Sequence, residues 1–264
     1  MERKYGCLES PIDLRDFIVS TPKIELPEAY TLEHTTIKDQ GSVNSCVAHS
    51  LSSLIESKLN SIYSTGWIYG YRPKDYYQGE GMYTREALKT LLNLGAVKNE
   101  DFNYYIEMKE AKTKVDENLM LLEVLAEDCK IDAYARLTTE NEIKSWIYTK
   151  QIPVPVCIAT DNLQINKDNI IKIPSVYPMS GHAMLALGWN ELGFIVQNSW
   201  GKEWGKDGLA ILPYEYAIRE AWGISLSNKA NPTKDENIKK PKFYIIRKLL
   251  QILIESFSET VKRR

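Results

Sequence analysis

Two segments of the chain gather its reactive side chains: QGSVNSCVAHS at residues 40 to 50 and SGHAMLALGWNELGFIVQNSWGKEWG at residues 180 to 205. Between them they hold a thiol (Cys46), an imidazole (His182) and the carboxamides of Gln40 and Asn198. That inventory suits acyl transfer at a cysteine. A peptide carbonyl is a poor electrophile, so its attack needs a nucleophile ionised near neutral pH, a proton carrier, and donors aimed at the oxygen that becomes negative. Cys46 stands at the head of the helix-period run Val47, Ala48, Leu51, Leu54, Ile55, Leu59, which puts its sulfur at a helix N-terminus. There the macrodipole favours a thiolate, and an imidazolium neighbour lowers the free-thiol value of ~8.5 by several units.

The elements that must position these groups divide the chain into helices first and strands later. Residues 1 to about 30, with Pro11, Pro22 and Pro27, lack a helical period and read as an extended arm. A helix is expected from Cys46 to about Asn60. The Tyr-rich stretch 64–83, broken by Gly66, Gly70, Pro73, Gly79 and Gly81, reads more as loop than element. Further helices are expected from Thr84 as N-cap to Gly95 as C-cap, from Asp116 to about Asp128, and from Thr139 to Thr149. Strands follow at Val154 to Ala159, 183–189, 193–198 and Gly208 to Leu212. The fold class is therefore α+β, and the helices and strands fall in separate halves.

The bulk numbers narrow the function classes. With 264 residues, 44% hydrophobic and 26% charged, the chain can bury a sizeable core as a globular protein. A net charge of -2 offers no overall electrostatic case for nucleic acid. That balance is uneven: residues 229–264 carry ten Lys/Arg against four Asp/Glu. This last part reads as a charged linker, NPTKDENIKKPK, followed by an amphipathic helix with Ile245, Ile246, Leu249, Leu250, Leu253 and Phe257 on its apolar face. Three readings stay open for it: docking on its own domain, contact with a membrane surface, or binding of a partner protein. Truncation after about Asn228 is expected to leave activity intact.

The four cysteines, Cys7, Cys46, Cys129 and Cys157, have no metal-type spacing, and a reduced compartment is the simpler reading. No apolar run is long enough for a signal peptide or a membrane span, so a cytoplasmic protein is expected. Cys129 and Cys157 read as inert core residues, while Cys7, in the arm, is a weak candidate for capping Cys46 through a mixed disulfide.

Taken together, QGSVNSCVA, then GHA with GW five residues on, then QNSWGKEWGKDG, and PIDLRD near the start, resemble the papain family of cysteine peptidases, in particular its bacterial and viral branch. The resemblance runs from about Asp13 to Leu226. It implies a two-lobed α+β fold, with a helical left lobe, an antiparallel β right lobe and the cleft between them, over a peptidase domain at 31–228. His182 is then the partner of Cys46, and Asn198 orients the ring. Gln40 forms the oxyanion hole with the Cys46 backbone N–H, and Trp200 and Trp204 shield the histidine from water.

For substrate contacts the resemblance implies Gly81 and Met82 along an extended peptide, with Gly181, Ala183 and Trp200 completing the wall. No cofactor and no metal are implied, and the partners are peptides or proteins. The resemblance implies that family members are kept silent by an N-terminal segment; here that segment is short, and either narrow specificity or occlusion by residues 1 to 20 is expected. Val43 replaces a disulfide-forming cysteine of secreted relatives, and Glu80 replaces a second glycine beside Gly81.

The leading reading is a thiol endopeptidase. Its alternatives are an inactive peptide-binding scaffold of the same fold, and a transamidase or cell-wall amidase using the same Cys-His-Asn set. Plainer assignments also belong here: His49 packs in the core because helical geometry turns it from the cleft, His34 is a surface residue, and the tyrosines between Tyr63 and Tyr83 mostly pack loops.

Overall fold

Cys46–Leu59 forms a helix with apolar or small side chains on every face, and every residue from Cys46 to Glu56 is buried. A helix of that kind belongs in the interior. In the computed structural model of the chain, which describes residues 3–18, 24–59, 61–72, 79–103 and 108–226, it is the axle between the helices and the sheet.

In chain order the elements are β1 (Cys7–Leu8), β2 (Tyr30–Thr31), α1 (Cys46–Leu59), α2 (Thr65–Gly70), β3 (Met82–Tyr83) and α3 (Thr84–Asn93). There follow α4 (Met108–Glu117), α5 (Leu119–Ala126), β4 (Ala133–Leu137), α6 (Glu140–Lys150) and β5 (Val154–Ala159). The chain continues with β6 (Gly181–Asn190), β7 (Gly193–Gln197), β8 (Leu209–Pro213) and β9 (Ile218–Ser225). A seven-stranded antiparallel sheet runs β4-β9-β5-β6-β7-β8, with β2 also on β6; β1 and β3 make a separate parallel pair.

Strand alternation decides what each sheet face meets. On β6, Ala183, Leu185 and Leu187 join the core built around α1, whereas Met184, Ala186 and Trp189 join a second core that includes Ile143, Trp146 and Ile147 of α6. The α+β, two-lobed expectation holds. Ser50 Oγ of α1 donates to the Met184 carbonyl at 3.1 Å, fastening the helix to β6 two residues from His182.

Several local expectations need correction. Thr84 is the first helical residue, not the N-cap; Tyr83 holds that position without a side-chain cap bond, while the Thr84 hydroxyl faces Cys7 Sγ at 3.7 Å. Leu94 is the C-cap, and Gly95, with φ +100°, follows it, where a Cβ would run into the Ala126 carbonyl. The helix expected from Asp116 is two helices, α4 and α5, parted at Asn118, whose Nδ2 donates to the Lys114 carbonyl at 2.9 Å.

The Tyr-rich stretch contains α2, capped by Ser64 Oγ accepting from Trp67 N at 3.0 Å. Gly70 there is a packing glycine, because the Ala111 backbone of α4 lies where its Cβ would be. Strands β4 and β9 escape a sequence reading because polar side chains interrupt them. Glu220 is buried there, accepting from Ser10 N at 2.5 Å and from Trp222 Nε1 at 2.9 Å. The C-terminal linker and helix expected at 229–264 lie outside the described residues, as do Tyr76 and Tyr77.

Candidate active site

The site forms where the N-terminus of α1 faces the start of β6. Cys46 is the first residue of α1, with His49 N donating to the Ser45 carbonyl at 3.0 Å to open the helix. His182 lies on β6, paired with Ile158 of β5. The backbone N–H of Ala183, the residue after His182, acts on the Cys46 thiol, so nucleophile and imidazole sit on facing elements.

His182 Nε2 donates to Asn198 Oδ1 at 2.7 Å; the Asn198 oxygen can only accept, so the proton is on Nε2. In the neutral ring Nδ1 then carries the lone pair. It is buried and makes no hydrogen bond. Asn198 Oδ1 also accepts from Ser199 N at 2.8 Å, and Asn198 N donates to the Gly208 carbonyl at 2.9 Å, which fixes the amide after β7. Trp200 covers the ring with centroids 4.7 Å apart, and Trp204 meets Trp200 edge-on.

Gln40 reaches the site because the 38–40 segment is stitched to 199–201. Gln40 N donates to the Ser199 carbonyl at 2.8 Å, Gly201 N donates to the Lys38 carbonyl at 2.9 Å, and Asp39 bridges Trp200. Its Oε1 accepts from Ser199 Oγ at 2.6 Å, and its Nε2 donates to the Val43 carbonyl at 2.6 Å. The Val43 carbonyl can only accept, so it sets which end of the amide is the donor, and Ser199 holds the other end. Sequence reasoning passed Ser199 over, although it stands inside the quoted QNSWG run.

Residues 3–8 of the arm touch Gln40, Cys46, His182 and Trp200. Gln40 Nε2 also donates to the Lys4 carbonyl at 3.3 Å; Tyr5 stands edge-on to His182 at 5.8 Å and to Trp200 at 5.6 Å; Arg3 donates to the Trp200 carbonyl and to Asp39. Gly6 passes so close to Asn44 that a Cβ would collide with its carbonyl, and Met82 N donates to the Gly6 carbonyl at 2.7 Å. The residues expected to wall an extended peptide are all here: Met82 pairs with Cys7, Gly81 packs on Leu8, Gly181 leaves room for the Cys7 carbonyl, and Ala183 meets Cys46. The strand between them belongs to the chain itself.

The reading of Cys157 as an inert core residue fails. Cys7 does not cap Cys46; it forms a disulfide with Cys157, and Cys46 and Cys129 are the free thiols. Cys157 is thus not an inert core residue, because its place on β5 opposite Ala183 brings it under the arm. Cys46 and His182 are fully buried; burial pushes the Cys46 thiol up against the pull of backbone N–H groups, and pushes His182 down to about 4 despite the Asn198 bond. With water excluded by the arm, thiol and neutral imidazole are the favoured forms.

His49 packs in the core as expected, its Nδ1 on the Ser45 carbonyl at 3.0 Å. Beneath it a buried Lys38–Glu56 pair at 2.5 Å, shared with Ser52, holds the 38–40 segment to α1.

A family model described as papain family cysteine protease matches residues 27–220. The viral cathepsin of Heliothis zea nuclear polyhedrosis virus is 30% identical over 208 residues, 72% of this chain and 53% of that protein. A peptidase C1-like protein of Acanthamoeba polyphaga mimivirus is 42% identical over 60 residues, 21% of this chain and 19% of that one. The chain spans about half the length of the viral cathepsins it matches, 53% and 59%. Among solved structures, xylellain, a cysteine protease from Xylella fastidiosa, superposes with a TM-score of 0.73 at 23% identity, over 86% of this chain and 98% of that one. Digestive procathepsin L2 of Tenebrio molitor gives 0.63 at 18%, over 85% and 78%.

Proposed function

This chain belongs to the papain family of cysteine proteases, and on that footing we propose that it is an endopeptidase with Cys46 as nucleophile and His182 as proton carrier. The observation that carries the reading is the protonation pattern of the ring. Nε2–H is committed to Asn198, so the buried Nδ1 lone pair is the atom free to take the thiol proton.

In the reaction, a peptide replaces residues 3–8 and Cys46 attacks its carbonyl. Negative charge develops on the carbonyl oxygen, where Gln40 Nε2 and the Cys46 N–H receive it. His182 passes the proton to the leaving amine, and water then hydrolyses the thioester with His182 as base. Gly81, Met82, Gly181 and Ala183 pair with the peptide backbone, and Trp200 lies beside the histidine. The ion pair forms when a loosely fitting substrate or water returns polarity to the site.

Residues 3–8 act as a built-in occluding segment, since the oxyanion donor, the imidazole and the nucleophile each contact them. A location in the cytoplasm is part of the proposal, with peptides or proteins as partners and no nucleic acid; the 229–264 segment is proposed to make a membrane-surface or protein contact. No helix among the described residues is long and apolar enough to cross a membrane.

Irreversible labelling at Cys46 by an epoxysuccinyl peptide, with cleavage of a peptide library that disappears in Cys46→Ala, is the expected result. A library left intact by fully reduced enzyme would favour the peptide-binding scaffold instead. Products joined to an added amine would favour the transamidase.

A further inference from the structure

We infer that the Cys7–Cys157 disulfide is a redox latch: a dithiol reductant opens it and frees residues 3–8 from the catalytic centre, and oxidation closes it again. The inference rests on the peptidase reading above.

The placement of the two sulfurs carries the argument. Cys7 follows three residues that contact Gln40, His182 and Cys46 in turn, so fixing Cys7 fixes the part of the arm that excludes substrate. Cys157 lies opposite Ala183 on the neighbouring strand, one residue from His182. The bond spans 150 residues of sequence and ties the arm to the wall of the cleft.

The non-covalent contacts around it are unequal. Downstream the arm is held firmly: Ser10 N on buried Glu220 at 2.5 Å, and Asp16 paired with buried Arg85 at 2.5 Å. Upstream, the Arg3–Asp39 pair has side chains 29% and 50% exposed, a class of contact that contributes little. Tyr5 OH accepts from Leu163 N at 3.1 Å, and the Gly6 carbonyl accepts from Met82 N. Cutting the disulfide removes the covalent tie on residues 3–9 and leaves the two-residue β1–β3 pairing and single hydrogen bonds to hold them, while the segment from Ser10 stays docked. The covering piece becomes a short flap that swings from Ser10.

The exchange balances with a dithiol as two-electron donor. Its thiolate attacks one sulfur of the bond and forms a mixed disulfide; the other cysteine leaves as thiolate and takes a proton. The second thiol of the donor then displaces the mixed disulfide, leaving two cysteine thiols and an oxidised donor. Cys7 and Cys157 are 1% and 2% exposed, so attack follows lifting of the residues upstream. In a cytoplasm that keeps thiols reduced, disulfides are usually transient and redox-sensing, which suits a latch better than a permanent staple.

The test uses the full chain, air-oxidised or treated with dithiothreitol and desalted. Alkylation of Cys46 by iodoacetamide is followed by mass spectrometry, in parallel with peptide turnover, in wild type, Cys7→Ser and Cys7→Ala. Wild type is expected to lose about 100-fold in Cys46 alkylation rate on oxidation, as for a tethered intramolecular contact, while both variants alkylate fast in either state. Thermal melts identify a variant that fails to fold, and the other then carries the comparison. Oxidised wild type with the Cys7–Cys157 bond intact and Cys46 alkylated as fast as when reduced would overturn the latch. So would four free thiols after oxidation, or variants as slow as oxidised wild type. Fast alkylation without turnover in reduced enzyme and both variants would sink the peptidase reading while leaving the latch in place.

Discussion

Ser199 Oγ donates to Gln40 Oε1 at 2.6 Å while Gln40 Nε2 donates to the Val43 carbonyl at 2.6 Å, and the two bonds together hold the carboxamide beside the turn after β7. The same turn supplies Asn198 to His182. Oxyanion donor and ring orientation are thus set by adjacent residues, and substitutions can separate the two contributions.

Gln40→Ala removes a donor from the place where charge develops. The expected loss is ~10²- to 10³-fold in kcat with KM little changed, measured on a fluorogenic peptide. Equal losses in alkylation of Cys46 would instead indicate damage to the nucleophile.

Ser199→Ala removes the bond to Gln40 Oε1 and leaves the Val43 carbonyl to hold the amide by its Nε2. One neutral hydrogen bond at about 0.5–1.5 kcal/mol translates into roughly 3- to 10-fold in kcat. Because the hydroxyl acts through Gln40, the Gln40→Ala/Ser199→Ala double variant should be no slower than Gln40→Ala alone; additive losses would give Ser199 a separate role.

Gly6→Ala puts a methyl group into the Asn44 carbonyl. Overpacking of about 1–3 kcal/mol should strain the closed arm and speed alkylation of Cys46 in oxidised enzyme roughly tenfold. An unchanged rate would mean that the arm does not limit access.

Acidification should destabilise the arm-closed protein. His182 and His49 are both held by burial near 4, below their ordinary 6.5. Between those values the unfolded chain binds protons that the folded one refuses, so the contribution is fully present above about 6.5 and falls away as pH drops toward 4. Melting temperature at pH 5 should lie below that at pH 7.5, and His49→Gln should flatten the difference. A melting temperature that rises on acidification would contradict the burial of these rings.

Much of this protein was legible in residue order. Cys46 at the head of α1 followed from a 3.6-residue apolar period, β5 from an unbroken VPVCIA run, and α6 was expected from Thr139, which the structure makes the N-cap, its side chain accepting from the Glu142 N–H. These are local signals, each carried within one element. Gln40, His182 and Asn198 could be named because their neighbours resemble a known pattern, and the structure brings them together with Trp200.

What residue order left open depends on contacts between distant segments. Nothing near Cys7 points to Cys157, because their meeting requires β1 to pair with β3 while β5 and β6 bring Cys157 beneath it. Gly6 reads as an ordinary loop glycine until Asn44 is beside it. Charge state was the least accessible: residue types name a thiol and an imidazole, but the covering arm excludes water from both, and burial favours their neutral forms. Side-chain types and short-range periodicity determine which reactions are available; solvent exclusion and cross-chain pairing are properties of the packed whole, and they decide whether the reactive form is populated.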